Sequence, residues 1–310
     1  MNEEISDIDI VVPNRTHENW RYYPLAKKIA RTSWKKSNLD VDRTDCSDDE
    51  IIIMGGKLLG SSKNLAFGED MVINDDFARL EKLANLDILS NKQRELETDQ
   101  VLLTTKPGQS LKIYLIHKSI PEETASFTSI ILKIADNSHL KIIERFEQGP
   151  QKLTEPSQKN FLRKPSLSSL RMVADVGRNA TYTRIRFQNA DDSYLTFYRE
   201  HVTVKKNGCF GHHLVDLGSK AARSEITVSL DEQGANSKCT HLALPQTHQY
   251  HESRASVDHV CGNTKSNLLS RLIANNNGEA TCNARTHILK DASNSSTIQS
   301  IGCLLLTHGA

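Results

Sequence analysis

Aromatic side chains are scarce in this sequence: Phe, Trp and Tyr together make up 5% of its 310 residues. That excludes a core built mainly on stacked rings and leaves aliphatic ladders to supply most of the buried area. An excess of charge of one sign is missing as well. Lys and Arg number 39 against 38 Asp and Glu, so no global field draws nucleic acid or an acidic membrane surface. Long hydrophobic runs are absent, and no stretch approaches the ~18 apolar residues of a membrane span. The opening Met1-Asn2-Glu3-Glu4 is acidic and carries no apolar run. It therefore reads as neither a secretory signal nor a transit peptide, and a cytoplasmic protein is expected. Six cysteines occur, at 46, 209, 239, 261, 282 and 303, with no Cys-x-x-Cys pair. In a reducing compartment they are expected to be free thiols.

What is present divides near residue 98. Residues 1–98 read as a mixed segment. Trp20, Tyr22 and Tyr23 crowd a short stretch ending at Pro24. Ile51-Ile52-Ile53-Met54 followed by Gly55-Gly56 reads as a strand and turn. Asp75-Asp76 ahead of Phe77, Leu80, Leu83, Ala84 and Ile88 predicts a capped helix from Phe77 to about Leu89. From residue 99 to 310 short alternating strands take over, at 111–115, 130–134, 183–187, 194–197, 202–204, 226–230 and 241–244. Polar turns lie between them, each followed by a small residue or His, at His139, Ala180, Cys209, Ala235 and Ala280. Those anchors are 41, 29, 26 and 45 positions apart, an irregular repeat in the solenoid range. A β-helix fits this pattern and so does an antiparallel sandwich, and periodicity alone leaves both open. The Pro- and Ser-containing stretch 149–169 reads as an exposed loop or insertion.

Few motifs carry chemistry. Gly55-Gly56-Lys57-Leu58-Leu59-Gly60-Ser61-Ser62 lacks the Lys that a phosphate-cradling loop needs after its last glycine, so it reads as a Gly-rich turn. No nucleophile elbow is present. The densest reactive cluster is Cys239, His241, His248, His251, Asp258, His259 and Cys261. Cys239-x-His241 and His259-x-Cys261 each place two metal-capable groups on one strand face. Thiolate with imidazole suits Zn²⁺ or an iron–sulfur species, which makes these four residues the candidate ligands. Against this stands the ordinary role of a strand Cys as a small hydrophobe. Asp258 and His259 point to opposite faces of a strand, which argues against a catalytic pair. Arg184 and Arg186, alternating along one strand, are expected on a solvated face.

Two blocks carry a family resemblance. His17-Glu18-Asn19-Trp20, Tyr22 and Pro24-Leu25 stand in register with a signature of SufD-type proteins. Val257-Asp258-His259, Ser266-Asn267, Asn283 and Gln299 are similar to the core of the SufB/SufD family of iron–sulfur cluster assembly proteins. The chain departs from that family at Cys282-Asn283-Ala284, where members usually read Phe-Asn-Gly, and at Ile298. Members also continue beyond the Leu304-Leu305-Leu306 strand into a C-terminal helical region, which this chain is expected to lack. The resemblance implies a right-handed parallel β-helix after a small mixed α/β N-terminal segment. It implies a non-catalytic scaffold that pairs with SufB and the ATPase SufC, with a homodimer as a further possibility. No intrinsic cofactor is then expected, only a transient iron–sulfur cluster at the interface with SufB. Two alternatives compete with this reading: a reduced relative without complex activity, and a β-helix enzyme acting on polysaccharide.

Overall fold

The computed structural model describes residues 7–8, 34–36, 50–55, 57–61, 99–118, 120, 122–147 and 165–307. The helix expected from Phe77, the aromatic block at 20–23 and residues 149–164 of the expected insertion lie outside these. In chain order the strands begin with β1 (Asp7–Ile8), β2 (Trp34–Lys36), β3 (Glu50–Met54), β4 (Lys57–Ser61), β5 (Asp99–Thr104) and β6 (Ser110–Lys118). Six pairs follow: β7 (Thr124–Ile134) with β8 (His139–Glu147), β9 (Ser166–Val176) with β10 (Thr181–Gln188), and β11 (Tyr194–Val204) with β12 (Cys209–Asp216). The remaining three are β13 (Ala221–Leu230) with β14 (Asn236–Ala243), β15 (Tyr250–His259) with β16 (Lys265–Ala274), and β17 (Glu279–Ile288) with β18 (Ser296–Leu305).

Odd-numbered strands from β5 to β17 lie in one sheet and even-numbered strands from β6 to β18 in the other. Every pairing among them is parallel. The chain thus winds as a two-sheeted β-solenoid of six rungs, with β5 and β6 leading. The sandwich alternative is removed, because its hairpins would pair consecutive strands antiparallel. Ile51-Ile52-Ile53-Met54 forms β3 as expected and turns through Gly55, at φ 60°, into β4.

Register gives the true repeat. Thr181 pairs with Cys209, Cys209 with Asn236, Asn236 with Lys265 and Lys265 with Ser296. These are steps of 28, 27, 29 and 31 positions. The expected anchors mixed two sheets: Ala280 pairs with His251 in the odd-numbered sheet, so its 45-residue interval spans a rung and a half. The step from His139 to Thr181 is long because the insertion lies within it. That insertion ends earlier than expected, since β9 already begins at Ser166. Its Ser-Leu-Ser-Ser-Leu opening carries too little alternation to be read as a strand.

Aliphatic columns fill the space between the sheets. Leu132, Ala174, Val202, Val228 and Val257 stack through five successive rungs and are all fully buried. β-Branched side chains suit such pleated, doubly covered positions. The turns repeat with equal regularity. Asn137, Asn179, Asn207, Asn263 and Asn294 all hold φ between 54° and 59°, a left-handed geometry that Asn tolerates. The Asn207 amide donates to Asn179 Oδ1 and the Asn179 amide to Asn137 Oδ1, each at 3.2 Å. Gly234 takes the next position at φ 77°, where a Cβ would come within 2.2 Å of Asn207 Oδ1.

Asn179→Ala is expected to destabilise the solenoid by about 1–2 kcal/mol through its positive φ, with a further loss of about 1 kcal/mol from the ladder. Asn179→Gly relieves the first term only. Urea midpoints should therefore fall in the order wild type, Gly, Ala; equal midpoints for the two variants would remove the backbone argument.

Candidate functional site

The inward columns of the even-numbered sheet change character partway along. One runs Ile113, Ile142, Arg184, His212, Cys239, Leu268, and its neighbour runs Leu115, Glu144, Arg186, Leu214, His241, Ser270. Arg184 and Arg186, expected on a solvated face, are instead 0% and 3% exposed. The reason is phase. β10 is locked rung by rung to β8, whose Leu140 and Ile142 face the core, so Tyr182, Arg184, Arg186 and Gln188 must follow them inward. Ile185 and Phe187 are turned outward in exchange.

The buried charges find partners from both sheets. Arg184 Nε donates to Glu144 Oε2 at 3.0 Å, and its Nη1 donates to the Tyr198 hydroxyl and lies 3.5 Å from Glu200 Oε1. Tyr182 Oη donates to Glu200 Oε1 at 2.8 Å and Tyr198 Oη to Oε2 at 2.6 Å. His117 Nε2 is 2.7 Å from Glu144 Oε1, and Arg186 Nε is 3.5 Å from the same oxygen. Both guanidinium groups lie over the Tyr198 ring, at 4.4 and 4.2 Å from its centroid, a cation–π arrangement strengthened by the dry surroundings. Burial pushes the Glu144 carboxyl up, but Arg184, Arg186 and His117 outweigh it and hold it well below the usual range. Two carboxylates thus face two guanidinium groups.

Cys239 and His241 do share the inward face of β14, 6% and 8% exposed. His259 and Cys261 do not join them. Both His259 nitrogens are engaged, with Thr264 Oγ1 at 2.7 Å and Ser266 Oγ at 2.9 Å, and Cys261 lies past the strand end. Burial raises the Cys239 thiol to about 12, with Glu200 adding to it, so it stays protonated. Burial and His251 push His241 down to about 3, leaving it neutral. His241 instead faces Asp216, its Nε2 4.0 Å from Oδ2, while His251 Nδ1 stands 3.8 Å from Oδ1. These separations exceed a hydrogen bond. Among the described residues, no three His, Cys, Asp or Glu side chains are grouped so as to hold a metal ion. Beside His241, Cys239 and Ser270 line an interior cavity of about 20 Å³, room for an ordered water.

A second ion network occupies the opposite face of the odd-numbered sheet. Glu225 accepts from Arg199 Nε at 2.9 Å and Arg223 Nε at 2.8 Å, and Arg223 Nη1 donates to Glu252 at 3.0 Å. Burial pushes the Glu225 carboxyl up, but the two arginines outweigh it and bring it down to about 2. Sequence reasoning missed Glu144, Glu200, Asp216 and this network. The one signal available was the alternation at 182–188, and both of its phases place polar groups on one face and apolar groups on the other.

Comparison with known proteins accords with this architecture. The family profile described as SUF system FeS cluster assembly, SufBD core domain, matches residues 97–310. The iron–sulfur cluster assembly protein SufD of Escherichia coli strain K12 is 20% identical over 298 residues, covering 91% of this chain and 67% of that protein.

Arg184→Met removes the guanidinium shared by two buried carboxylates, Glu144 and Glu200, and is expected to cost about 3 kcal/mol. Adding Glu144→Gln should recover part of that loss, so urea unfolding of the single and double variants measures the coupling; strict additivity would show that the pair does not interact. Glu225 has a folded pKa below its unfolded value of about 4.3. Its contribution is therefore complete above that pH and is lost as pH falls toward about 2. Glu225→Gln should flatten the acid limb of a stability–pH curve over that interval.

Proposed function

The chain belongs to the SufBD core-domain family of SUF iron–sulfur cluster assembly proteins, and from that premise we propose that it works as a SufD-like, non-catalytic scaffold subunit in the cytoplasm. Its partners in this reading are SufB, paired through the solenoid, and the ATPase SufC, which supplies the ATP chemistry for which this sequence has no motif. A transient iron–sulfur cluster forms at the interface with SufB, with no resident cofactor in this chain. One observation carries the reading: the family match begins at residue 97, at the threshold of β5, and covers every rung of the solenoid. The side-chain chemistry supports it. The densest titratable groups, Glu144, Arg184, Glu200 and His212, are 0–1% exposed, in contact with protein rather than with solvent-borne substrate. A polysaccharide enzyme would instead need clustered carboxylates in an open groove.

Coexpression of the chain with SufB and SufC, affinity capture and intact-complex mass spectrometry tests the proposal. Recovery of SufB in stoichiometric amount is the expected result. Recovery of neither protein at micromolar concentration would overturn the scaffold reading and leave the family membership as ancestry alone.

A further inference from the structure

Asparagine precedes glycine at two places in the chain, Asn207-Gly208 and Asn277-Gly278. Every other asparagine is followed by a residue with a Cβ, which shields the backbone nitrogen behind it. Glycine leaves that nitrogen open to the side chain before it. Both pairs sit in left-handed turns between strands. Asn207 holds φ 54°, and Asn276 and Asn277 hold 49° and 63°, the consecutive positive angles of a type I′ turn. The glycine amides are held alike: Gly208 N–H donates to Lys205 O at 2.8 Å and Gly278 N–H to Asn275 O at 2.9 Å.

The asparagine side chains are not held alike. The Asn207 amide donates to Asn179 Oδ1 at 3.2 Å. On its other side Gly234 packs so closely that a Cβ there would come within 3.3 Å of Asn207 Cγ. The Asn207 backbone N–H donates to Gln233 O at 3.1 Å. The carboxamide of Asn207 is therefore clamped between the rungs on either side of it. Asn277 is exposed and makes no hydrogen bond among the described residues.

We propose that Asn277-Gly278 is a self-modification site, at which the chain deamidates through a succinimide, while contacts between rungs protect Asn207-Gly208. Local opening of the turn releases Gly278 N–H from Asn275 O. That nitrogen gives its proton to water and attacks Asn277 Cγ, forming a C–N bond. The Cγ–Nδ2 bond breaks, and Nδ2 takes up a proton and leaves as ammonia. Water then opens the ring. Attack at Cγ yields aspartate; attack at the main-chain carbonyl yields isoaspartate, whose backbone runs through the extra methylene. One water enters and one ammonia leaves, with no change of oxidation state. Either product sets a carboxylate near the exposed Glu279. Isoaspartate also lengthens the backbone where it has least room. A Cβ on Gly278 would lie 2.4 Å from Pro245 O and 2.7 Å from Gln246 O in the preceding rung. The longer backbone is therefore displaced outward, which weakens the 2.9 Å bond from Glu279 N–H to Gln249 O and loosens the entry into β17. The inference rests on the two turns alone and stands apart from the proposed pairing with SufB and SufC.

The test incubates the full chain in mildly alkaline buffer, with a parallel sample unfolded in urea, and follows both asparagines by peptide mapping with mass spectrometry. Retention separates the Asn, Asp and isoaspartyl peptides, and methyl transfer from labelled S-adenosylmethionine by an isoaspartyl methyltransferase measures the last of these independently. In the folded chain, conversion at Asn277 is expected to outpace that at Asn207 by at least about fivefold, the factor set by one net hydrogen bond. In urea the two rates should converge, because the reacting pair is the same. Asn179→Gly keeps the turn but removes the partner of the Asn207 amide; it should speed Asn207 and leave Asn277 unchanged. Circular dichroism reports whether that variant folds, and if it does not, the folded and urea samples of the unaltered chain decide. Equal rates at the two sites in the folded chain, a faster Asn207 or no conversion at Asn277 would overturn the proposal. So would a difference that persists in urea.

Discussion

In-register parallel pairing between rungs commits each strand side chain of the solenoid to a column. Hydrogen bonds run from each strand to the strands above and below, and a one-residue slip in any rung would turn its whole inward set to solvent. The Leu132-to-Val257 column is the apolar outcome of that constraint, and the Asn137–Asn179–Asn207 ladder is its outcome at the turns. Neither would exist if neighbouring rungs were free to slide.

The same constraint carries two arginines into the interior. Two buried guanidinium groups bring a desolvation penalty of several kcal/mol each, which attraction offsets only where partners are close and hydrogen bonds complete. Arg184 meets that condition through Glu144, Tyr198 and Glu200, which come from both sheets. An all-aliphatic column would stabilise the rung at least as well. The charged set adds discrimination, because displacing β10 by one rung would separate Arg184 from Glu144 and leave that carboxylate with His117 alone. The Asp216, His241 and His251 group is less complete: ring nitrogens of both histidines and Asp216 Oδ1 have no hydrogen-bond partner among the described residues. Such atoms are usually met by ordered water in a folded interior.

Charge is therefore sorted by depth and by face. The interior pairs opposite signs, and the odd-numbered sheet's other face braids Arg199, Glu225, Arg223 and Glu252. A net charge near zero concealed both. Within a SufBD core-domain protein this leaves the interior ion pairs to specify the register of the fold.

Much of the architecture was legible in the residues. Sparse aromatics and aliphatic alternation pointed to ladders, polar turns followed by a small residue or His separated the strands, and the spacing of those turns lay in the solenoid range. These are local properties, set by backbone sterics within a few residues. The choice between solenoid and sandwich, the true rung length and the inward phase of Arg184 and Arg186 were not local. They depend on which strand pairs with which, and register with β8 and β12 is a contact between residues 28 to 42 positions apart. The sequence by itself determined where the chain extends and turns; the tertiary structure alone decided which side of each strand faces the core, because that is settled by hydrogen bonding to the neighbouring rungs.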